Sequence, residues 1–587
     1  MAITRKESDP RYQWDLTAMY KDSSEVDAAV ASATHLISEL SSMAGPLDPN
    51  SAVKVLKIDS QVAEIVEKLY VYTHLKADED STDSASRAAA ARIEMLLTEY
   101  SSASSFIAPA LSRLDDAQLS SIAESEPRFS RLIESVKREK SHCLSDEEEK
   151  LLAESGSFIG DFQKVYMMFN NGDIRFDPVK DENGVEKELT HGTYSDFLQS
   201  KSPRVRRDAF LSTHKAYKDN INFIAANYYA HVKKDVFLSR IRKYASPVEM
   251  ALYGEEISEK TYRTLLSAID KGLPALHEYI AMRKRIVGDL HMYDLHFQLF
   301  EGGNGQPYEE AYETVYNALE PMGEEYRKIF REAKDNGWID VYENKGKRSG
   351  AYSWSAYGTP HPYVLLNHSE SMRDVFTLAH EMGHAIHSYY SNAAMPFEKA
   401  GYVIFVAEVA STVNEVLLLK NLLKTATGEE RKALLSYYLD MFRTTMFRQA
   451  QFAEFEAFAH DEVNKGNPLT VDSLSDFYRE LNHRYYGDSV VNDEEIRYEW
   501  ARIPHFYNSF YVYKYATGFI SAVSIAGAIE KGDTKRRDDY IRMLSLGGSM
   551  PPLDLLRVAG VDLETEAPYE QALEEFRATL KMLEAEL

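Results

Sequence analysis

Ser371-Met-Arg-Asp-Val-Phe-Thr-Leu-Ala-His380-Glu381-Met382-Gly383-His384-Ala-Ile-His387-Ser-Tyr-Tyr390 is the stretch from which the rest of the chain is best understood. Ser371 and Asp374 can open a helix, because a hydroxyl and a carboxylate three residues apart satisfy backbone amides left unpaired in the first turn. The helix is predicted to run to about Tyr390. Four residues apart on it, His380 and His384 project from one face within reach of a single ion. Glu381 sits one step around the helix, where its carboxylate can hold a metal-activated water without entering the coordination shell. Val375, Phe376, Leu378, Ala379 and Ile386 make the helix largely apolar and hence buried, and buried histidines and carboxylates require strong partners.

Catalytic zinc normally takes three protein ligands, so a third must come from elsewhere. A metzincin arrangement would need glycine at His387 and histidine at Tyr390, and is excluded. The best candidate is Glu408 in Val403-Ile-Phe-Val-Ala-Glu-Val-Ala-Ser, a carboxylate in an otherwise hydrophobic helix reached after a short connection. Glu415, seven residues on and so on the same face, could orient a ligand histidine. His387 shares a face with the two histidines, but ordinary packing explains it as well, and it is not counted as a ligand. Pro504 to Gly518 holds one histidine and four tyrosines within eleven residues. His505, Tyr511 and Tyr515 are candidates to stabilise an oxyanion. On a helix Tyr511 and Tyr515 would point the same way, with Tyr513 turned into the core.

A chain of 587 residues exceeds one ordinary core. Helical periodicity from Ser24 to about Lys201, through Leu56, Ile58, Val62, Ile65 and Leu69 and then Ile93, Leu96 and Leu97, predicts an N-terminal helical domain over 1–200. Asn183-Gly184 marks a turn after a strand end. A second helical series from Ser202-Pro203 opens a catalytic domain over 201–587. The Gly302-Gly303-Asn304-Gly305 run lacks the context of a nucleotide fingerprint and is expected to be a turn. Between Ser349 and Asn367 short aromatic and β-branched runs predict a small β element, with an edge strand around Tyr363 to Leu366 that could pair with a peptide backbone. The fold class expected is mainly α with that β element beside the active-site helix.

The 67 Lys and Arg against 92 Asp and Glu give a net charge of -25, so no nucleic-acid or anionic-membrane partner is expected. The single Cys143 precludes a disulfide framework and fits a reducing cytoplasm. The opening residues lack the apolar core of a signal peptide. Val403–Leu423 carries Glu408, Asn414, Glu415 and Lys420, and Phe519–Ile529 is short, so no transmembrane helix is expected.

His380-Glu-Met-Gly-His-Ala-Ile-His-Ser-Tyr-Tyr-Ser391, Phe405-Val-Ala-Glu-Val-Ala-Ser-Thr412 and His505 through Gly518 resemble the oligoendopeptidase F group of thimet-oligopeptidase-like metallopeptidases. Lys347-Arg-Ser-Gly-Ala-Tyr and Pro362-Tyr-Val-Leu-Leu-Asn extend the resemblance, as does Trp14-Asp-Leu more weakly. The resemblance implies a zincin-type helical body with a deep channel for unstructured peptides. It also implies one zinc ion per chain on His380, His384 and Glu408, Glu381 as general base, and His505 with a tyrosine of the 511–515 segment at the substrate. The function expected is zinc-dependent endopeptidase cleavage of short oligopeptides. The alternatives are a zinc carboxypeptidase and a non-catalytic peptide-binding scaffold; an intact Glu381 argues against the scaffold.

Overall fold

Residues 3–302 and 305–587 are described by the computed structural model, in which 72% of the chain is helical. The mainly-α expectation holds. Gly303 and Asn304, the middle of the expected glycine-rich turn, lie outside the described residues. The chain forms two compact units. One comprises Met1–Ser141, Asn304–Leu422 and Ile525–Val561; the other comprises His142–Gly303, Leu423–Ser524 and Asp562–Leu587. Neither is a continuous segment, so these units are not the sequential pair 1–200 and 201–587: the chain first leaves one for the other at 141/142.

In the first unit, helices Ser23–Ser42, Pro49–Glu79 and Ser84–Ser104 each begin after an aspartate, Asp22, Asp48 or Asp83, whose carboxylate accepts first-turn amides. Val62, Leu69, Ile93 and Leu96 share one core with Trp14, Leu16, Tyr363 and Leu365, so these helices support the β element. Leu56 enters a neighbouring core, while Leu97 is exposed.

The β element has three strands. Ile339–Asp340 pairs parallel with Tyr363–Leu365, and Tyr352–Trp354 pairs antiparallel with it on the other side. The expected edge strand around Tyr363 to Leu366 is therefore the central one. Tyr363, Val364 and Leu365 are wholly buried, and the Val364 N–H is spent on the Trp338 carbonyl oxygen at 2.9 Å. A run with no polar residue is read more naturally as a strand covered on both faces, and that signal was available.

The histidine-bearing helix spans Met372–Ala394, opened as expected by a capping box in which Ser371 and Asp374 exchange hydrogen bonds. The Glu408 helix spans Ile404–Leu423. The two approach backbone to backbone at Gly383. A Cβ there would stand 2.6 Å from the Ala410 carbonyl oxygen and 2.6 Å from the Ser411 Cα. One turn away, the Asn414 amide donates to the Ala379 carbonyl oxygen at 3.1 Å while its oxygen accepts the Tyr326 hydroxyl at 2.9 Å.

The second unit holds the helices Pro203–Asp219, Ile221–Ile241, Glu259–Val287 and Arg448–Lys465. A short hairpin pairs Val179–Lys180 with Glu186–Lys187, turning through Gly184 at φ 80°, as the Asn-Gly pair predicts.

Gly383→Ala must push the two helices apart. It should lower thermal stability by about 1–3 kcal/mol, as overpacking of a tight contact does, and weaken metal retention at the same time. Calorimetry and metal analysis of the purified variant check both; an unchanged melting temperature would show that the contact yields freely.

Candidate metal centre

The three proposed ligands come together in the first unit. His380 Nε2 and His384 Nε2 are 3.2 Å apart, and Glu408 Oε2 lies 3.6 Å from the first and 3.7 Å from the second. Ligand atoms about 2.0–2.1 Å from a tetrahedral ion stand about 3.3–3.5 Å from one another, so the triangle fits zinc. Among the described residues this is the one group of His, Cys, Asp and Glu side chains close enough to hold an ion. Each of the three is partly exposed, so an ion and a water can reach them.

The spacing has local causes. His380 and His384 are one turn apart on one helix, and the glycine contact at residue 383 brings the Glu408 helix within reach of both. Glu415 Oε1 accepts from His380 Nδ1 at 2.5 Å, which leaves the Nε2 lone pair facing the centre of the triangle. The Ala407 carbonyl lies beside the His384 ring.

Two imidazole nitrogens at 3.2 Å cannot both be protonated, and the electrostatics divide them. Burial would lower His380, but the Glu415 hydrogen bond and the charges of Glu415, Glu381 and Glu408 raise it to about 9. Burial and the charge on His380 lower His384 to about 3. A cation shared between the two rings is what this set of carboxylates favours, and a proton or a metal ion can supply it. Glu381 is buried, and burial pushes its carboxyl up to about 7, His380 opposing and Glu408 adding. The Ser353 backbone N–H of the edge strand lies against it.

His387 stays out of the triangle. Its buried ring stacks on Tyr402 at 3.6 Å between centroids, and Tyr402 reaches Ser388 at 2.8 Å. The roles of Ser353, Tyr402 and Asn414 in shaping this region were not anticipated. Only Asn414, a polar residue inside an apolar helix, left a trace in the sequence.

The aromatic segment belongs to the second unit. The rings of His505 and Tyr511 are 6.3 Å apart, those of His505 and Tyr515 6.1 Å, and those of Tyr511 and Tyr515 5.5 Å. The regular helix begins at Tyr513, but the Tyr511 and Val512 carbonyl oxygens already accept the Lys514 and Tyr515 N–H groups at 3.2 Å each, so helical turns start at Tyr511, directly after a turn at Ser509-Phe510 in which Phe510 has φ 58°. Tyr513 is buried, as expected.

A family model described as Peptidase family M3 matches residues 197–575, and one described as Oligopeptidase F matches 111–176. The chain belongs to peptidase family M3. It is 40% identical over 97% of its length to the oligopeptidase PepF of Bacillus subtilis, covering 86% of that protein. Among solved structures it resembles the oligoendopeptidase-F of Enterococcus faecium, with 34% identity, a TM-score of 0.74, and 96% and 99% of the two chains covered. A Chlamydophila abortus chain matches over the whole of both chains at 31% identity and a TM-score of 0.93. The M3 chain is accordingly a peptidase of the metal-dependent, oligopeptide-cleaving kind, and its substrates are peptides. None of its described helices is long and apolar enough to cross a membrane.

Glu415→Gln keeps the shape of the His380 partner and removes its charge. Zinc affinity measured by chelator competition should fall about 10–100-fold with the fold intact; unchanged affinity would remove Glu415 from the centre.

Proposed function

We propose that this M3 peptidase is a zinc-dependent endopeptidase that hydrolyses internal bonds of short, unstructured oligopeptides, with His380, His384 and Glu408 holding one zinc ion per chain and Glu381 acting as general base. The observation that carries the proposal is the triangle of three donor atoms, two from histidines and one from a carboxylate, with a second, buried carboxyl beside it that is not one of the donors. A structural site has no use for that carboxyl. When bound, zinc supplies a Lewis acid that lowers the pKa of water and polarises a carbonyl.

The remaining work falls to the chain. Glu381 takes a proton from the attacking water and delivers it to the leaving amine nitrogen. Its environment serves both halves of this task, because burial raises its proton affinity into the range where gain and loss are each easy. His505, Tyr511 and Tyr515 are proposed to donate to the substrate carbonyl oxygen as charge develops on it. Backbone pairing of a peptide, expected at Tyr363 to Leu366, is assigned instead to Tyr352–Trp354, which lies at the edge of the sheet and carries the Ser353 N–H beside Glu381.

The division at 200/201 is retained as a proposal about sequence modules, supported by a peptidase family model that begins at residue 197. A cytoplasmic location is likewise proposed, on the single cysteine of the chain.

The deciding experiment is cleavage of an internally quenched peptide of about ten residues, blocked at its C-terminus, by wild type and Glu381→Gln, with zinc quantified in each. Wild type should cleave at internal bonds, and the zinc-retaining variant should lose about 10²–10⁴-fold in kcat. Terminal trimming of the unblocked peptide alone would favour a carboxypeptidase, and peptide binding without turnover by zinc-loaded wild type would favour a scaffold.

A further inference from the structure

The aromatic segment of the second unit is held by a buried polar network with no part in the chemistry described so far. Phe510, at φ 58°, is in a left-handed conformation that side chains other than glycine adopt only where their surroundings enforce it. Two helices do so. From Arg448–Lys465, the wholly buried Glu456 accepts the Phe510 backbone N–H on Oε1 at 3.0 Å. From Ile221–Ile241, Asp235 accepts the Ser509 hydroxyl on Oδ2 at 2.6 Å.

Asp235 is in turn fixed by Lys234 Nζ at 2.9 Å and His460 Nε2 at 3.2 Å. His460 Nδ1 faces the Glu456 carbonyl oxygen at 2.9 Å, so both nitrogens of this ring meet acceptors and both are placed to donate. Ser509 has given its one proton to Asp235 and therefore accepts from His231 Nε2 at 2.9 Å. His231 Nδ1 faces Lys234 at 3.4 Å, and burial keeps this ring neutral, with its pKa lowered to about 3. Burial would raise the Asp235 carboxyl, but its donors hold it well below the usual range.

Around the turn the side chains alternate between core and surface. Phe510 packs on His460 at 4.6 Å and on Tyr262 at 5.7 Å, and Tyr513 packs on Tyr262 at 5.3 Å. Tyr511 between them is partly exposed, beside His505 and Tyr515.

We propose that Asp235, Glu456 and Ser509 are positioning residues of the peptidase: they hold the Ser509-Phe510 turn in its left-handed form and so fix where Tyr511 stands relative to His505 and Tyr515. The inference rests on the proposed contact of Tyr511 with substrate, and the test separates the two. A 3-fluorotyrosine placed at position 511 of the full-length, zinc-loaded enzyme reports the position of that ring by fluorine NMR, while kcat and KM on the quenched peptide report catalysis.

Ser509→Ala and Glu456→Met should shift and broaden the fluorine resonance and lower kcat about ten- to a hundredfold, as small misplacements of catalytic groups do, with KM little changed. Glu456→Gln, whose amide oxygen still accepts the Phe510 N–H, should leave both readouts near wild type. Tyr511→Phe should lower kcat comparably, and adding Ser509→Ala to it should cost nothing more. An unmoved resonance in folded Ser509→Ala overturns the proposal, and decides it even where Glu456→Met fails to fold. A shifted resonance together with full activity of Tyr511→Phe upholds the positioning of residue 511 and overturns instead its contact with substrate.

Discussion

The contact at Gly383 is the constraint on which the metal centre depends. A zinc site of two histidines and a glutamate needs three donor atoms about 3.3–3.5 Å apart, and two helices packed at the usual 8–10 Å between axes do not bring side chains from both to one point so readily. With no Cβ at residue 383, the Met372–Ala394 helix lies directly on the Ala410 and Ser411 backbone of the Ile404–Leu423 helix. Asn414 then locks the pair, because its amide and carbonyl bind Ala379 and Tyr326 respectively. Two helical turns of sequence thereby become one rigid ligand set.

That rigidity matters because the assembled groups repel one another in some combinations and attract in others. Two imidazole nitrogens in contact favour a shared cation, and Glu408 and Glu415 supply the negative charge that keeps it there. Glu381 is drawn the other way: buried and near two further carboxylates, it has a raised proton affinity that His380 and the Ser353 backbone N–H oppose without overcoming. Residues that are adjacent in sequence thus acquire opposite tasks from their surroundings, His380 to bind a cation and Glu381 to carry a proton.

The second unit illustrates a different use of buried polarity. Asp235 and Glu456 bond Ser509 and Phe510, and His460 fixes Asp235, so together they determine the backbone from which Tyr511 projects. Buried polar groups are costly unless paired, and here the pairing converges on two adjacent residues, Ser509 and Phe510, with Glu456 engaged through Oε1 while its Oε2 is buried without a partner.

The sequence alone determined whatever depends on helical periodicity and residue chemistry. The His380-Glu381-x-x-His384 face, the capping box at Ser371, the isolated Glu408 in an apolar helix and the Asn183-Gly184 turn were all legible, because each is a local rule acting over a few residues. Tertiary structure decided what depends on pairing between distant segments. The strand Tyr363–Leu365 proved central and not at the edge, since its partner Ile339–Asp340 lies more than twenty residues away and is too short to announce itself. The grouping of Met1–Ser141 with Asn304–Leu422 is of the same kind. The helical turns that carry Tyr511 and Tyr515 follow from local propensity, but where they start does not: Phe510, the left-handed residue just before them, is held by Glu456, and its neighbour Ser509 by Asp235, both far away in the chain. Local sequence encodes which groups a helix presents; only the packing of remote helices decides where the backbone is forced to leave its preferred conformation.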